Sequence, residues 1–366
     1  MKLFFVILFF FLLLLPSIQN ATGLVSIKPV EESRRKAEMP NPAVKNFLSD
    51  RGNMGRQLLS WYDDRYGFRD LLIKLKTQID YSVFSKSDRI HIGQDGWLYY
   101  RNVLDNQKPQ VERQPTAAIQ DYYEKLRSLS RYLRERGITM VVLRMPLKDV
   151  IYPEFLPATV PCYPEQRNAD LLSKLLNSSE DIIGIDVTAK LKALKPSLQI
   201  FHKTDFHWTD PAGFHIARDL VNLLYRLEGN QGTLWNHELR IVRMQLSGGQ
   251  AREMPLLKSP EEVSIFNEKT WEDTTIYQKG TPPLREILRS KTEVRGPLLP
   301  ITVIKGNSFF DALLRSGFPN YFSELYICDS NDFTDVIRNL PKGCKYLIVQ
   351  ELAGISEHPT QVKWKD

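Results

Sequence analysis

The chain has 366 residues, 42% of them hydrophobic and 25% charged, with a formal net charge of +6 and a pI near 9.0. That length and apolar content can bury a sizeable core and exclude a chain disordered throughout. The positive balance fits an anionic partner, polysaccharide or lipid headgroups before nucleic acid, or simply the solvated faces of Lys/Arg-rich helices.

Lys2 precedes an unbroken apolar run from Leu3 to Leu15. The run has the length of a signal-peptide core and is short for a membrane span, and Ala21-Thr22-Gly23 offers a small-x-small cleavage site. Export is therefore expected, with residues 1–23 a signal peptide or, alternatively, a retained N-terminal anchor that associates with the membrane. Residues 24–57 are largely polar, carry a Pro40-Asn41-Pro42 break, and read as a flexible tether to a domain over 58–366.

Leu58 to Phe84 has helical spacing, with Leu71, Leu72, Leu75 and Ile79 as apolar positions. Asp64, Arg65, Arg69 and Asp70 read as ion pairs fixing that helix, with a substrate-binding cluster as the alternative. Ile90 to Tyr100 alternates around Asp95-Gly96, a hairpin-turn signal. There Trp97, Tyr99 and Tyr100 are strand core on one reading and a platform for sugar rings on the other.

Thr116 to Arg136 is helical, with Ile119, Tyr122, Tyr123, Leu126, Leu129 and Leu133 on one face and Gly137 where a terminating glycine belongs. A buried strand, Ile138 to Leu143, follows. The same step recurs at Asp170–Leu176 then Ile182–Val187, and at Asp332–Leu340 then Tyr346–Val349. Helices alternating with continuous apolar strands predict an α/β fold whose mostly parallel sheet is covered on both faces. Sites in such sheets lie at the carboxyl ends of strands, a rim that would hold Arg144, Pro146 and Lys148.

Lys203 to Gly213 concentrates the chemistry. Asp205 stands two residues before His207, so its carboxylate can hold the imidazole Nδ1–H and leave Nε2 free as a base. Asp210 and Pro211 read as the N-cap and first residue of a helix running to about Leu227. Residues 231–300 are polar, broken by Gly248-Gly249 and Pro282-Pro283, and read as an insertion or lid. Further on, the β-branched Thr302 to Ile304 lead into Gly306-Asn307-Ser308 and then a helical turn, the geometry that exposes a serine oxygen at a sheet edge. The predicted catalytic set is Ser308 as nucleophile, His207 as base and Asp205 as its orienting acid. The N–H groups of Ser308 and of the start of the following helix are the expected oxyanion donors.

No cofactor or metal is expected. His202, Asp205 and His207 fit no standard zinc spacing, and Cys162, Cys328 and Cys344 include no Cys-x-x-Cys pair and allow at most one internal disulfide.

These segments, in this order, resemble the AlgX/AlgJ family of periplasmic polysaccharide O-acetyltransferases. The resemblance is carried by Asp205-Phe206-His207-Trp208-Thr209 and Gly306-Asn307-Ser308-Phe309, preceded by Asp64 to Asp70, Gly93 to Tyr100, Pro146-Leu147-Lys148 and Tyr152 to Pro157, so it covers about Asp64 to Glu351. It implies an SGNH hydrolase-like three-layer sandwich, a Ser-His-Asp triad with an acetyl-serine intermediate, and an alginate-like exopolysaccharide as acceptor. An integral membrane acyltransferase partner would deliver the acetyl group to the periplasm, and no nucleic acid is involved. The chain departs from the family at Gly249-Gln250-Ala251, where an Asp often follows the glycine, and from Gly-Asp-Ser hydrolases at Asn307. The alternatives are a carbohydrate acetylesterase with the same triad and a non-catalytic polysaccharide-binding protein.

Overall fold

Eleven strands and the helices between them are described by the computed structural model, which covers residues 2–26, 28–30, 35–40, 51–105, 116–160, 168–294, 296–330 and 332–354. Residues 27, 31–34 and 41–50 of the tether, and also Cys162 and His358, lie outside the described residues. The chain divides into two units, Met1–Asp88 with Arg252–Ser259, and Arg89–Ala251 with Pro260–Asp366.

The first unit opens with the helix Lys2–Thr22, whose 21 residues and mean hydropathy of 2.3 suffice to cross a membrane. Two helices follow, Arg51–Arg65 and Arg69–Phe84. The sequence spacing predicts one helix from Leu58 to Phe84; instead the chain turns at Tyr66-Gly67-Phe68. Contacts with the first helix meet this turn: Asn20 Nδ2 donates to the Arg65 carbonyl at 2.7 Å, and a Cβ on Gly67 would lie 2.1 Å from the Pro16 carbonyl oxygen. The charge cluster holds this corner. Asp64 accepts the Ala37 N–H at 2.7 Å and lies 4.0 Å from Arg69, which also pairs with Asp70 at 3.4 Å.

In the second unit the strands are β1 Ile90–Ile92, β2 Leu98–Tyr100, β3 Thr139–Met145, β4 Ile183–Asp186, β5 Ile241–Leu246, β6 Glu262–Asn267, β7 Thr275–Lys279, β8 Leu284–Ser290, β9 Thr302–Lys305, β10 Glu324–Cys328 and β11 Tyr346–Leu352. β1 and β2 form the expected hairpin, with Asp95 and Gly96 at φ +50° and +78° across the turn. Trp97 and Tyr99 are buried, and Trp97 stacks on Phe155 at 4.9 Å, so both are core residues.

Seven strands build the central sheet in the order β4-β3-β11-β9-β10-β8-β7. The five from β4 to β10 are mutually parallel, and β8 and β7 add antiparallel at one edge. β7 and β8 thus come from the polar stretch 231–300, as does the separate β5–β6 hairpin. The parallel strands read as continuous apolar runs because alternate residues enter different cores. Val141, Leu143, Ile304, Ile327 and Ile348 belong to one cluster, and Met140, Val142, Val303, Tyr326 and Leu347 to the other. Helices Thr116–Arg134 and Asn168–Asn177 supply the second cluster, and helix Asp210–Leu227 the first, which makes three layers. The helix before β3 ends as its glycine requires: Gly137 takes φ +74° and the Ile138 N–H returns to the Leu133 carbonyl.

Helix Asp210–Leu227 begins one residue earlier than the capping pattern suggests. Thr209, extended at ψ 154°, is the N-cap, and its Oγ1 accepts the Ala212 N–H at 3.3 Å. Asp210, predicted as the cap, is the first helical residue and pairs with Arg315 at 2.7 Å. One turn on, Gly213 lets this helix touch the one at Asp311–Leu314: an added Cβ would lie 2.7 Å from that of Ala312. Gly213→Ala is therefore expected to destabilise by about 1–3 kcal/mol through overpacking, read as a lower urea midpoint at constant m. A midpoint unchanged or raised would show that the two helices separate freely.

Candidate active site

β9 delivers Ser308. At its carboxyl end the Asn307 N–H donates to Gln350 Oε1 at 2.9 Å, and Asn307 Oδ1 accepts the Phe309 N–H at 3.0 Å, capping the short 3-10 turn Ser308–Phe310. Ser308 is exposed, while Phe309 and Phe310 behind it are each 1% exposed and anchor the turn. The buried Phe309 carbonyl accepts Trp208 Nε1–H at 2.8 Å, which ties this turn directly to the segment carrying His207.

The three predicted side chains meet. The Ser308 hydroxyl donates to His207 Nε2 at 2.7 Å, and His207 Nδ1–H donates to Asp205 Oδ1 at 2.7 Å. Asp205 assigns the tautomer, since a carboxylate only accepts and so places the proton on Nδ1. Its oxygens are filled: Oδ1 also takes the His207 N–H at 2.9 Å and Oδ2 takes the Gly249 N–H. Burial alone would push the Asp205 carboxyl up. The ring hydrogen bond, those two backbone donors and the imidazole charge outweigh burial and hold it well below the usual carboxylate range. His202 stands apart, its Nδ1 at 2.5 Å from Ser264 Oγ.

Two features of this frame escape sequence reading. Glu262 on β6 reaches back to accept the Lys203 N–H at 2.9 Å, the Thr204 N–H at 2.7 Å and the Thr204 hydroxyl at 2.9 Å, fixing the residues just before Asp205. The second is Gly248, pressed so closely on Thr204 that a Cβ would lie 2.4 Å from its carbonyl oxygen. That contact brings the Gly249 N–H onto Asp205. A lone glutamate in a polar stretch carries no sequence signal for such a role. Gly248-Gly249 does signal a close backbone approach, though not the partner.

Gln250, where the family often has an acid, is fully buried and accepts from Lys148 Nζ at 2.7 Å. Lys148 also donates to the Leu98 and Lys203 carbonyls at 2.8 and 3.2 Å, so three acceptors meet the three ammonium hydrogens. Burial pulls this lysine down to about 7, against the upward pull of Asp205 and Glu262. An unfolded lysine titrates near 10.4, so between about pH 7 and 10 the unfolded chain holds the extra proton and stability rises with pH. Urea midpoints at pH 7 and 9.5 check this: the rise in wild type should exceed that in Lys148→Met, and equal slopes would contradict it.

The N–H groups expected as oxyanion donors are not equally available. Phe309 and Phe310 N–H groups are spent on the Asn307 side chain and carbonyl. Among the described residues the Ser308 N–H has no protein acceptor, so it is the remaining donor of the predicted set. Cys328 and Cys344 are free, buried thiols, and burial pushes Cys344 up to about 11.

Residues 90–254 match the family model described as ALGX, SGNH hydrolase-like domain, acetyltransferase AlgX. Curated relatives include the probable alginate O-acetylase AlgJ of Pseudomonas aeruginosa, 25% identical over 46% of this chain and 42% of that protein. The AlgJ of Azotobacter vinelandii is 27% identical over 64% of this chain and 59% of that one. The chain is similar to the AlgX/AlgJ family over these segments. It spans about half the length of the AlgJ relatives it matches. Among solved structures, Bacillus cereus PatB1 with a sulfonyl adduct superposes with a TM-score of 0.51 at 12% identity, covering 74% of this chain and 96% of that one. The chain thus has the SGNH-like fold, a mostly parallel sheet with Ser308 just beyond the carboxyl end of β9.

Proposed function

We propose that this protein transfers acetyl groups to hydroxyls of an exported bacterial exopolysaccharide through an acetyl-serine intermediate. The observation that carries the proposal is the continuous chain from Asp205 through His207 to Ser308, with both ring nitrogens at 2.7 Å from their partners.

In the first step Ser308 Oγ attacks the acetyl carbonyl while its proton passes to His207 Nε2. Asp205 stabilises the imidazolium formed. The tetrahedral oxyanion faces the Ser308 N–H, and collapse expels the donor's oxygen or sulfur, which takes the proton from His207. In the second step a sugar hydroxyl gives its proton to Nε2 and attacks the acetyl-serine, and Ser308 leaves with that proton. The substitution of Asn307 for the Asp of Gly-Asp-Ser hydrolases leaves this path intact, because Asn307 caps the turn and carries no proton.

The AlgJ relatives bear the name alginate O-acetylase, which supports an alginate-like acceptor. Lys2–Thr22, as signal peptide or anchor, supports action in the periplasm beside the membrane, where an integral membrane acyltransferase would supply the acetyl group. Exposure of Ser308 favours a second reading, acetylesterase, because water also reaches the acyl-enzyme.

The test is acetyl-ester release by the full chain in detergent, with and without an oligosaccharide acceptor. Acetylated oligosaccharide at the expense of free acetate identifies a transferase. Free acetate alone identifies an esterase, and no release by folded protein removes both.

A further inference from the structure

The helix Lys2–Thr22 meets the rest of its unit near its carboxyl end. Its buried residues are Pro16 and Gln19, whereas every residue from Leu3 to Leu14 is at least 39% exposed. Pro16 directly follows the apolar run, and beside it lies the turn at residues 66–68, where Gly67 approaches the Pro16 carbonyl and Asn20 donates to the Arg65 carbonyl. With the apolar run in a bilayer, that turn stands at the level of the headgroups.

The side chains at this corner suit that level. Tyr62 is exposed and meets Tyr66 edge to face at 6.0 Å, and the Arg65 guanidinium stands 5.4 Å over the Trp61 ring. Tryptophan and tyrosine collect where a chain leaves the hydrocarbon, because each joins an apolar body to a polar tip, and arginine extends to the same depth.

Helix Arg69–Phe84 leaves the same corner with its polarity inverted. A helix in water turns its apolar stripe to the core and its polar residues outward. In this helix no residue is buried, and Leu72, Leu75, Ile79 and Val83 are 52%, 38%, 53% and 68% exposed. Their helical spacing puts all four within about 80° of arc, on one face. The half-buried side carries Ile73, Lys74, Thr77 and Tyr81 instead. The apolar stripe runs along the whole helix, about 24 Å, and faces away from the protein.

We propose that helix Arg69–Phe84 lies in the surface of the bilayer that Lys2–Thr22 enters, with Leu72, Leu75, Ile79 and Val83 sunk among the acyl chains. The occupant of the stripe is lipid because the helix begins at headgroup level, beside the end of the anchor. Helices of this kind settle about 5–10 Å into the boundary between headgroups and chains. A span and a surface helix together fix the chain at the membrane by two contacts. No residue of the triad takes part, so the proposal stands apart from acetyl transfer.

The full chain is purified from the membranes of an expressing bacterium, where an intact mass lacking the first helix would already overturn the proposal. It is then reconstituted in phosphatidylethanolamine and phosphatidylglycerol vesicles that hold no other protein. The chain carries Cys162→Ser, its other thiols Cys328 and Cys344 being buried, and one added cysteine bearing an environment-sensitive fluorophore. Nitroxides on the acyl chains should quench the label at Leu72→Cys, Leu75→Cys, Ile79→Cys and Val83→Cys at least about threefold more than at Lys74→Cys and Thr77→Cys, while aqueous iodide shows the reverse order. Leu72→Ser with Ile79→Ser, both at exposed positions, should lower nitroxide quenching at Val83→Cys at least about threefold. Stripe labels reached by iodide and not by the nitroxides would show a face bathed in water. Labels reached by neither would show a face covered by a second copy of the chain. Either result would overturn the proposal, as would quenching without helical period.

Discussion

Ser308→Ala and His207→Ala are each expected to lower acetyl-ester turnover at least about a thousandfold, and the double variant to be no worse than either. The non-additivity follows from the hydrogen-bonded chain: with Nε2 at 2.7 Å from Oγ, neither group works without the other. Substrate affinity should change little, because both substitutions remove contacts made to the reacting atoms only in the transition state. Steady-state rates with a chromogenic acetyl ester, compared at matched melting temperature, decide the matter. Retention of activity within tenfold in either variant would refute the triad. Additive losses would imply that serine and histidine act in different steps.

The second large effect is on stability. Arg144 and Glu351 are 1% and 2% exposed and pair at 3.0 Å between neighbouring strands β3 and β11. Arg144 is further held by Ser173 Oγ and the Ala169 carbonyl at 3.0 and 3.1 Å, and Glu351 by the Tyr122 hydroxyl. Glu351→Ala leaves a guanidinium and a phenol buried without their shared acceptor, for an expected loss of about 3–5 kcal/mol. Arg144→Met with Glu351→Leu removes both charges and keeps the volume, so it should recover most of that loss. Urea unfolding of the three proteins provides the check. A Glu351→Ala cost below about 1 kcal/mol would mean that water reaches the pair.

Legibility from the sequence followed the range of the interactions. Asp205 and His207 are two residues apart, and their hydrogen bond is a local matter that the pattern itself encodes. The Ser308 turn was readable for the same reason, since Asn307 caps it two residues away. Parallel strands were visible because both faces are buried, which leaves runs such as residues 139–145 apolar throughout. β7 was hidden in polar composition because it is the edge strand and four of its five residues are exposed, and β8 beside it because its Arg285, Glu286 and Arg289 are only half-buried. Glu262 was unreadable because its partners lie 58 and 59 residues away. The cap of helix Asp210–Leu227 was misplaced by one residue because Thr209 and Asp210 are both good caps, and the ion pair with Arg315 decided between them.

The position of β11 bears on how the chain acquires this fold. It lies between β3 and β9, yet it is the last strand in the sequence among the described residues. As synthesis proceeds, β3 can pair early with β4, and β10 with β9 and β8, giving two partial sheets with a bare edge apiece. About 200 residues separate β3 from β11, so at ordinary elongation rates those edges wait about 10–40 s. Sequence-distant pairing of this kind slows folding and leaves strand edges open to other chains. The closing strand therefore sets the interval during which the nascent protein is most prone to aggregate.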